Sequence, residues 1–359
     1  MSARPTPRLA GVLLLLSVSL WALGVCVGSS GFENLLLTLW DTASPAADRA
    51  YAWQIVMDIR LPRTLGAWTA GALLGLAGVV AQGLFRNPLA DPYLLGSASG
   101  ASLGVALALA LLGGLPALLG EAGLGARVAS SLFTGHWGIR LGLTGAAFVG
   151  AVGAVLLTLT LAKGVAHTLR LLLAGVIVGV VLGAAASLIM LYSPDSLQAM
   201  QAFLLGSTAF ISWNAWGLMA GVWLLLIVLA WFLARVLDGL SLGENTALSL
   251  GLPLAPLRAA LVGVLALATA TAVAQTGLIA FVGLAAPHLV RAVVQVSYRE
   301  QVWLASGMGG VLLVAADILA RALIAPQELP VGVLTALLGG GYLLWLMHCR
   351  SAPTATGGL

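Results

Sequence analysis

The chain has 359 residues, of which 60% are hydrophobic and only 8% charged, and its mean hydropathy is +1.06. Soluble domains carry about 25% charged residues, and 16 Lys+Arg with 12 Asp+Glu cannot cover a water-soluble fold of this size. A soluble enzyme, a disordered chain and a nucleic-acid binder are excluded, the net charge of +4 is a slight arginine excess rather than a phosphate-binding patch, and a polytopic membrane protein remains.

An α-helix crosses hydrocarbon with about 20 apolar residues, whereas barrel strands are shorter and alternate in polarity. Ten apolar segments meet the helical requirement, at 9–29, 64–84, 94–113, 139–162, 169–191, 212–235, 256–275, 277–296, 302–324 and 331–349. They predict an all-α polytopic membrane protein with about ten transmembrane helices. The first segment reads as a retained span rather than a signal peptide, because it lacks an Ala-x-Ala cleavage pattern. With the N-terminus inside, the inner side holds ten Lys and Arg, including Arg86, Lys163, Arg170, Arg235 and Arg258, and the outer side holds six. That bias predicts cytoplasmic N- and C-termini. Residues 1–359 then form a single transmembrane domain with tails at 1–8 and 351–359. The longer connections, 30–62 and 114–138, fall on the outer side, and neither is long enough for a soluble module.

Between the second and third spans, Pro88 and Pro92 stop helix propagation and fix a turn at Asn87-Pro88-Leu89. Two glycine series of period four follow: Gly96, Gly100, Gly104 and Gly175, Gly179, Gly183. Residues four apart form one stripe on a helix, and a stripe without side chains permits close helix packing or a smooth wall along a path. The connection 240–253 carries Ser241, Gly243, Glu244, Ala247, Leu248, Leu250, Gly251 and Pro253. Ser241 and Glu244 have the spacing of a capping box, and Gly251 with Pro253 ends the helix, so a short, stiff helix is expected there. In the eighth segment, Pro287 is expected to bend the helix, and His288 either answers the polarity that the bend exposes or touches substrate. Asp317 is the ionisable residue deepest in a span, and Arg321 lies one turn on. The two read as a neutralising pair rather than as the coupling carboxylate of a secondary carrier.

Some chemistry is excluded outright. Lys163 is the sole lysine and Gly164 follows it, so no phosphate-binding loop ending in Lys-Ser/Thr exists. If ATP drives the protein, another polypeptide binds it. The four histidines lack metal-ligand spacing, and no Gly-x-Ser-x-Gly elbow sits in a strand-to-helix context. No metal or catalytic residue is expected.

Three stretches go beyond generic membrane sequence. The first is Arg60-Leu61-Pro62-Arg63 with Gln82-Gly83-Leu84-Phe85-Arg86-Asn87-Pro88-Leu89-Ala90-Asp91-Pro92 and Leu95-Gly96-Ser97-Ala98-Ser99-Gly100-Ala101. The second is Gly277-Leu278-Ile279-Ala280-Phe281-Val282-Gly283-Leu284-Ala285-Ala286-Pro287-His288-Leu289-Val290-Arg291. The third is Ala316-Asp317-Ile318-Leu319-Ala320-Arg321 with Glu328-Leu329-Pro330-Val331-Gly332-Val333. Together they resemble the FecCD family, permease subunits of ATP-driven importers for ferric siderophores, haem and cobalamin.

The resemblance implies a subunit of ten helices in a bacterial inner membrane, paired with an identical subunit around a central path. Two cytoplasmic ATPase subunits using ATP and magnesium would drive it, and a periplasmic substrate-binding protein would deliver cargo. The chain itself would bind no cofactor and no nucleic acid, and would contact membrane lipid. By resemblance to the family's cobalamin importer, Asn87 and Leu89 narrow the cytoplasmic end of the path. Thr168-Leu169 match that importer's Thr-Ser pair there, and Leu169 departs from its polar character. Gly96, Gly100, Gly175, Gly179 and Gly183 are candidates for lining the path. The 240–253 helix is expected to dock into the ATPase through Ala247, Leu248 and Leu250, with Glu244 at the rim of the contact. The cargo implied is an iron chelate, with haem placed ahead of ferric siderophores and cobalamin as the alternative.

Overall fold

The computed structural model describes residues 5–29, 31–41, 45–118, 137–165, 168–193, 196–249, 251 and 253–350. Most of both predicted tails' outer ends (1–4 and 351–359), most of the expected loop 114–138, and Leu250 lie outside the described residues.

Helix α1 (Pro5–Cys26) leads into a small antiparallel ribbon, β1 (Val27–Gly28) against β2 (Gly31–Phe32). Helix α2 (Leu35–Trp40) starts at Asn34, whose side chain accepts from Leu37 N at 3.2 Å. Helix α3 (Ala46–Ile55) passes through five π-helical residues, Val56–Arg60, into α4 (Leu61–Phe85). The result is one helical rod, Ala46–Phe85, of 40 residues. The expected span at 64–84 is therefore only its second half, and the expected outer loop 30–62 is largely helical. Asp48, Arg49, Asp58 and Arg60 hide the first half from a search for apolar runs.

A 3-10 turn (Pro92–Leu95) precedes α5 (Ser97–Leu118), followed by α6 (Trp137–Leu161) and α7 (Thr168–Leu191). The short α8 (Leu197–Leu205) was not anticipated, because nine residues are too few for a spanning window. Next come α9 (Trp213–Ser241), α10 (Glu244–Ser249), α11 (Leu254–Thr276), α12 (Val282–Val293), α13 (Tyr298–Ala322) and α14 (Val331–Arg350). Among the described residues, seven helices are long and apolar enough to cross a membrane. Three shorter apolar helices, Ser97–Leu111, Val282–Val293 and Val331–Trp345, accompany them. The chain is an all-α polytopic membrane protein. The eighth expected span, 277–296, is corrected: only 12 of its residues are helical, and residues 277–280 have no regular structure.

The bundle is built around α4, which is buried on nearly every face. Its small residues make this possible, as expected for a helix apolar all round. A Cβ on Gly71 would stand 2.8 Å from the Gly309 carbonyl carbon of α13, and one on Gly75 would stand 3.1 Å from that of Ala305. Helix α7 is the opposite case, with Leu173, Val176, Ile177, Val180 and Val181 exposed along it. A second packing seam joins α5 to α6, where Gly100 faces Gly150 and Gly104 faces Ala146.

Candidate translocation path and gates

One end of the bundle gathers the turn after α4, the start of α7, and the α9–α10–α11 connection. Arg86, in the left-handed region at φ 49°, ends α4. Asn87 then closes the turn on itself: its Oδ1 accepts from Leu89 N at 2.9 Å and its carbonyl accepts from Ala90 N at 3.0 Å. Asn87, Pro88 and Leu89 are exposed. Asp91 caps the 3-10 turn by accepting from Tyr93 N at 2.8 Å. Burial pushes the Asp91 carboxyl above its ordinary range, and the Tyr93 N–H opposes that shift. The turn rests on α7, because Leu94 O lies against Gly175 and Gly96, at φ 81°, lies beside Val178 and Gly179. Leu169, at the start of α7, is 71% exposed, and Thr168 is half-buried.

The glycine series divide into two kinds. Gly96, Gly100 and Gly175 are buried in contacts between elements, where a Cβ would press on neighbouring atoms. They form packing seams here rather than an open wall. Gly179 and Gly183 have room, since the nearest atom to an added Cβ is Ser99 Oγ at 3.7 and 3.8 Å respectively. Gly183 borders a cavity of about 830 Å³ between α5, α7 and α8, with Ser99, Ser102, Ser187 and Gln201 as its polar lining.

The 240–253 connection is rebuilt relative to expectation. Ser241 is the last residue of α9 and donates to Asp238 O at 2.6 Å, so the expected capping box with Glu244 is not formed. Glu244 instead pairs with Arg258 of α11 at 2.8 Å, and the Arg258 side chain is buried. Ala247 is fully buried in the permease's own core, so it faces inward and not toward a partner. Leu248 is 54% exposed. Gly243 and Gly251 adopt φ of 109° and 75°, conformations that favour glycine.

At the opposite end lies a buried ion cluster. Asp317 Oδ2 is 2.7 Å from Arg321, the pairing that the i, i+4 spacing suggests, and its Oδ1 is 2.9 Å from Arg63. Thr208 also donates to Asp317. Arg63 reaches Glu328 at 2.9 Å, and Arg321 reaches the carbonyls of Gly24 and Val27. Arg60 pairs with Glu33 and donates to the Val25 and Cys26 carbonyls. Buried charges persist only when paired and hydrogen-bonded, and this cluster ties α1, α4, α13 and the α8–α9 link together. Its partners outside α13 were not foreseen, although Arg60-Leu61-Pro62-Arg63 and Glu328 stand out in the sequence. His288, in α12, stacks edge-on with Tyr342 of α14 at 5.9 Å.

The fold is that of an apolar multi-span bundle, with an exposed turn and a short helix gathered at one end. The chain belongs to the FecCD transport family, whose model matches residues 13–349. It is 37% identical over 356 residues to the hemin transport system permease protein HmuU of Yersinia pestis, covering 97% of each chain. It is 34% identical to the vitamin B12 import system permease protein BtuC of Escherichia coli O6:K15:H31, covering 94% of this chain and 92% of that one. It is also 33% identical to the iron(3+)-hydroxamate import system permease protein FhuB of Bacillus subtilis, covering 95% and 84%. A solved metal-chelate type ABC transporter in an inward-facing conformation superposes with a TM-score of 0.78 at 27% identity, covering 96% of this chain and 99% of that one. The chain is thus a multi-pass inner-membrane permease of an ABC importer. The family is one of transport permease subunits, and an ABC importer permease implies ATPase and substrate-binding partners.

Proposed function

We propose that two copies of this chain form the path through which an iron chelate, haem first, enters the cytoplasm by alternating access. The observation that carries the cargo reading is the 37% identity to a hemin permease across 97% of both chains. The family match over residues 13–349 supports the pairing with two ATPase subunits, which would bind ATP and magnesium, and with a periplasmic binding protein. The end bearing Asn87 and Leu89 is cytoplasmic in this reading, in line with its Arg86, Lys163, Arg170, Arg235 and Arg258. Asn87, Leu89, Thr168 and Leu169 would narrow the path there, and Gly179 and Gly183 would line it beside the cavity. Helix α10 would carry the push from the ATPase. Leu248 would reach the ATPase, while Glu244 braces the helix through Arg258.

The test is stimulation of ATP hydrolysis in liposomes holding the assembled importer, with its binding protein loaded with haem, a ferric siderophore or cobalamin. Haem should stimulate most. Stronger stimulation by cobalamin would replace this cargo assignment, and no stimulation by any of the three would refute it.

A further inference from the structure

The irregular segment between α11 and α12 is held from two sides. From the side of α8, the hold is backbone to backbone: Leu278 N donates to Phe203 O at 3.1 Å, and Ser207 N donates to Thr276 O at 2.8 Å. Three glycines allow this approach. Gly206 lies against Leu278 O, Gly277 against Phe203 O, and Gly332, at the start of α14, against both Leu205 O and Leu278 O. A side chain at any of the three would overlap backbone, so the end of α8, residues 276–279 and the start of α14 interlock as one body.

From the side of the gate turn, the hold is made by side chains. Tyr93 Oη donates to Ile279 O at 3.1 Å, and the ring of the adjacent Pro92 sits over Gly283, with its Cδ 2.9 Å from where a Cβ would be. Ile279 is 1% exposed and lies outside any helix, so its carbonyl has no intrahelical donor. A buried carbonyl of this kind requires a partner, and the Tyr93 hydroxyl is that partner. Tyr93 itself is placed by Asp91, which accepts from its N–H in the same turn that begins at Asn87.

We propose that Tyr93 is a positioning residue that couples the two ends of the path. It ties the turn carrying Asn87 and Leu89 to the 276–279 break, and the break is locked to α8. Movement of α8 at one end then biases the turn at the other. Alternating access needs such a link, because one end must close as the other opens, and coupling requires an element that both ends bias. The inference rests on the reading of the Asn87–Leu89 turn as the cytoplasmic gate.

The experiment uses the complete importer in liposomes, with the Tyr93→Phe variant beside the wild type. Phenylalanine keeps the ring and removes only the bond to Ile279. Uptake of haem per ATP hydrolysed should fall about 2- to 10-fold, the scale of one buried hydrogen bond, while hydrolysis stimulated by the haem-loaded binding protein persists. A second readout follows a thiol reagent reaching Leu89→Cys. Its rate should respond to the loaded binding protein when Tyr93 is present and lose that response with Tyr93→Phe. An unchanged uptake-to-hydrolysis ratio with an unchanged response overturns the proposal. A parallel loss of uptake and hydrolysis with lowered thermal stability also overturns it, because Tyr93 would then be structural alone. Absence of ATP-driven uptake in the wild type would instead refute the proposed function, so the two failures are distinct.

Discussion

The same substitution at two glycines should have opposite consequences. A Cβ on Gly78 of α4 would overlap the Gly283 carbonyl oxygen and stand 2.7 Å from its carbonyl carbon. Both groups are backbone, so no rotamer change relieves the clash, and α12 must move off α4 as a unit. Overpacking a tight core costs about 1–3 kcal/mol, occasionally more, and rigid backbone on both sides places Gly78→Ala at the upper end. About 3 kcal/mol lowers the ratio of folded to unfolded protein by roughly a hundredfold. At Gly179 of α7, the nearest atom to a Cβ is Ser99 Oγ at 3.7 Å, an ordinary contact. Alanine there should gain up to about 1 kcal/mol of helix propensity, whereas Gly179→Leu should crowd α5. Thermal unfolding of the purified permease in detergent, followed by a thiol-reactive dye, measures all three. Equal melting temperatures for Gly78→Ala and Gly179→Ala would refute the packing account.

Asp317→Ala leaves Arg63 and Arg321 facing each other in a buried site, and removal of one member of a buried pair costs about 3–5 kcal/mol. Glu328 and the Gly24 and Val27 carbonyls hold the two arginines partly in place, so the lower end is expected as a depressed melting temperature; an unchanged one would contradict the cluster. Leu248→Asp should weaken co-purification of the ATPase without disturbing permease folding, whereas Ala247→Asp should damage folding itself; identical behaviour of the two would discard the orientation of α10. The raised Asp91 pKa means that the folded state binds its proton more tightly than the unfolded chain does. Stability from this group is therefore present at acidic pH and lost as pH rises through the raised value. Asp91→Asn keeps the acceptor for Tyr93 N–H, and should flatten that pH dependence and raise the melting temperature above neutral pH; a variant that melts lower there would show that the charge is favourable.

Apolar runs revealed most of the bundle because most spans are uncharged, but the rod Ala46–Phe85 starts in a charged stretch and is half hidden. The segment 277–296 shows the converse. It is apolar throughout, yet its first residues leave the helix because their hydrogen bonds go to Phe203 and Tyr93, partners that no local pattern reveals. Asp317 and Arg321 are legible as neighbours one turn apart, whereas Arg63 lies 254 residues from Asp317 and Thr208 lies 109 from it. Ser241 and Glu244 have the right spacing for a box, but Arg258 takes the glutamate, a charge-assisted bond that outweighs a local cap. The inward direction of Ala247 is likewise a tertiary matter, because a six-residue helix is too short for its apolar face to be read from periodicity.

In the proposed function, this chain conducts cargo only when a separate ATPase drives it. The direct measurement is haem uptake into liposomes containing the permease, with and without its ATPase subunits, in the presence of loaded binding protein and internal or external ATP. Uptake is expected only when the ATPase subunits are present and ATP is on their side of the membrane, with none from the permease alone under a proton or sodium gradient. Gradient-driven uptake by the permease alone would contradict the proposed function.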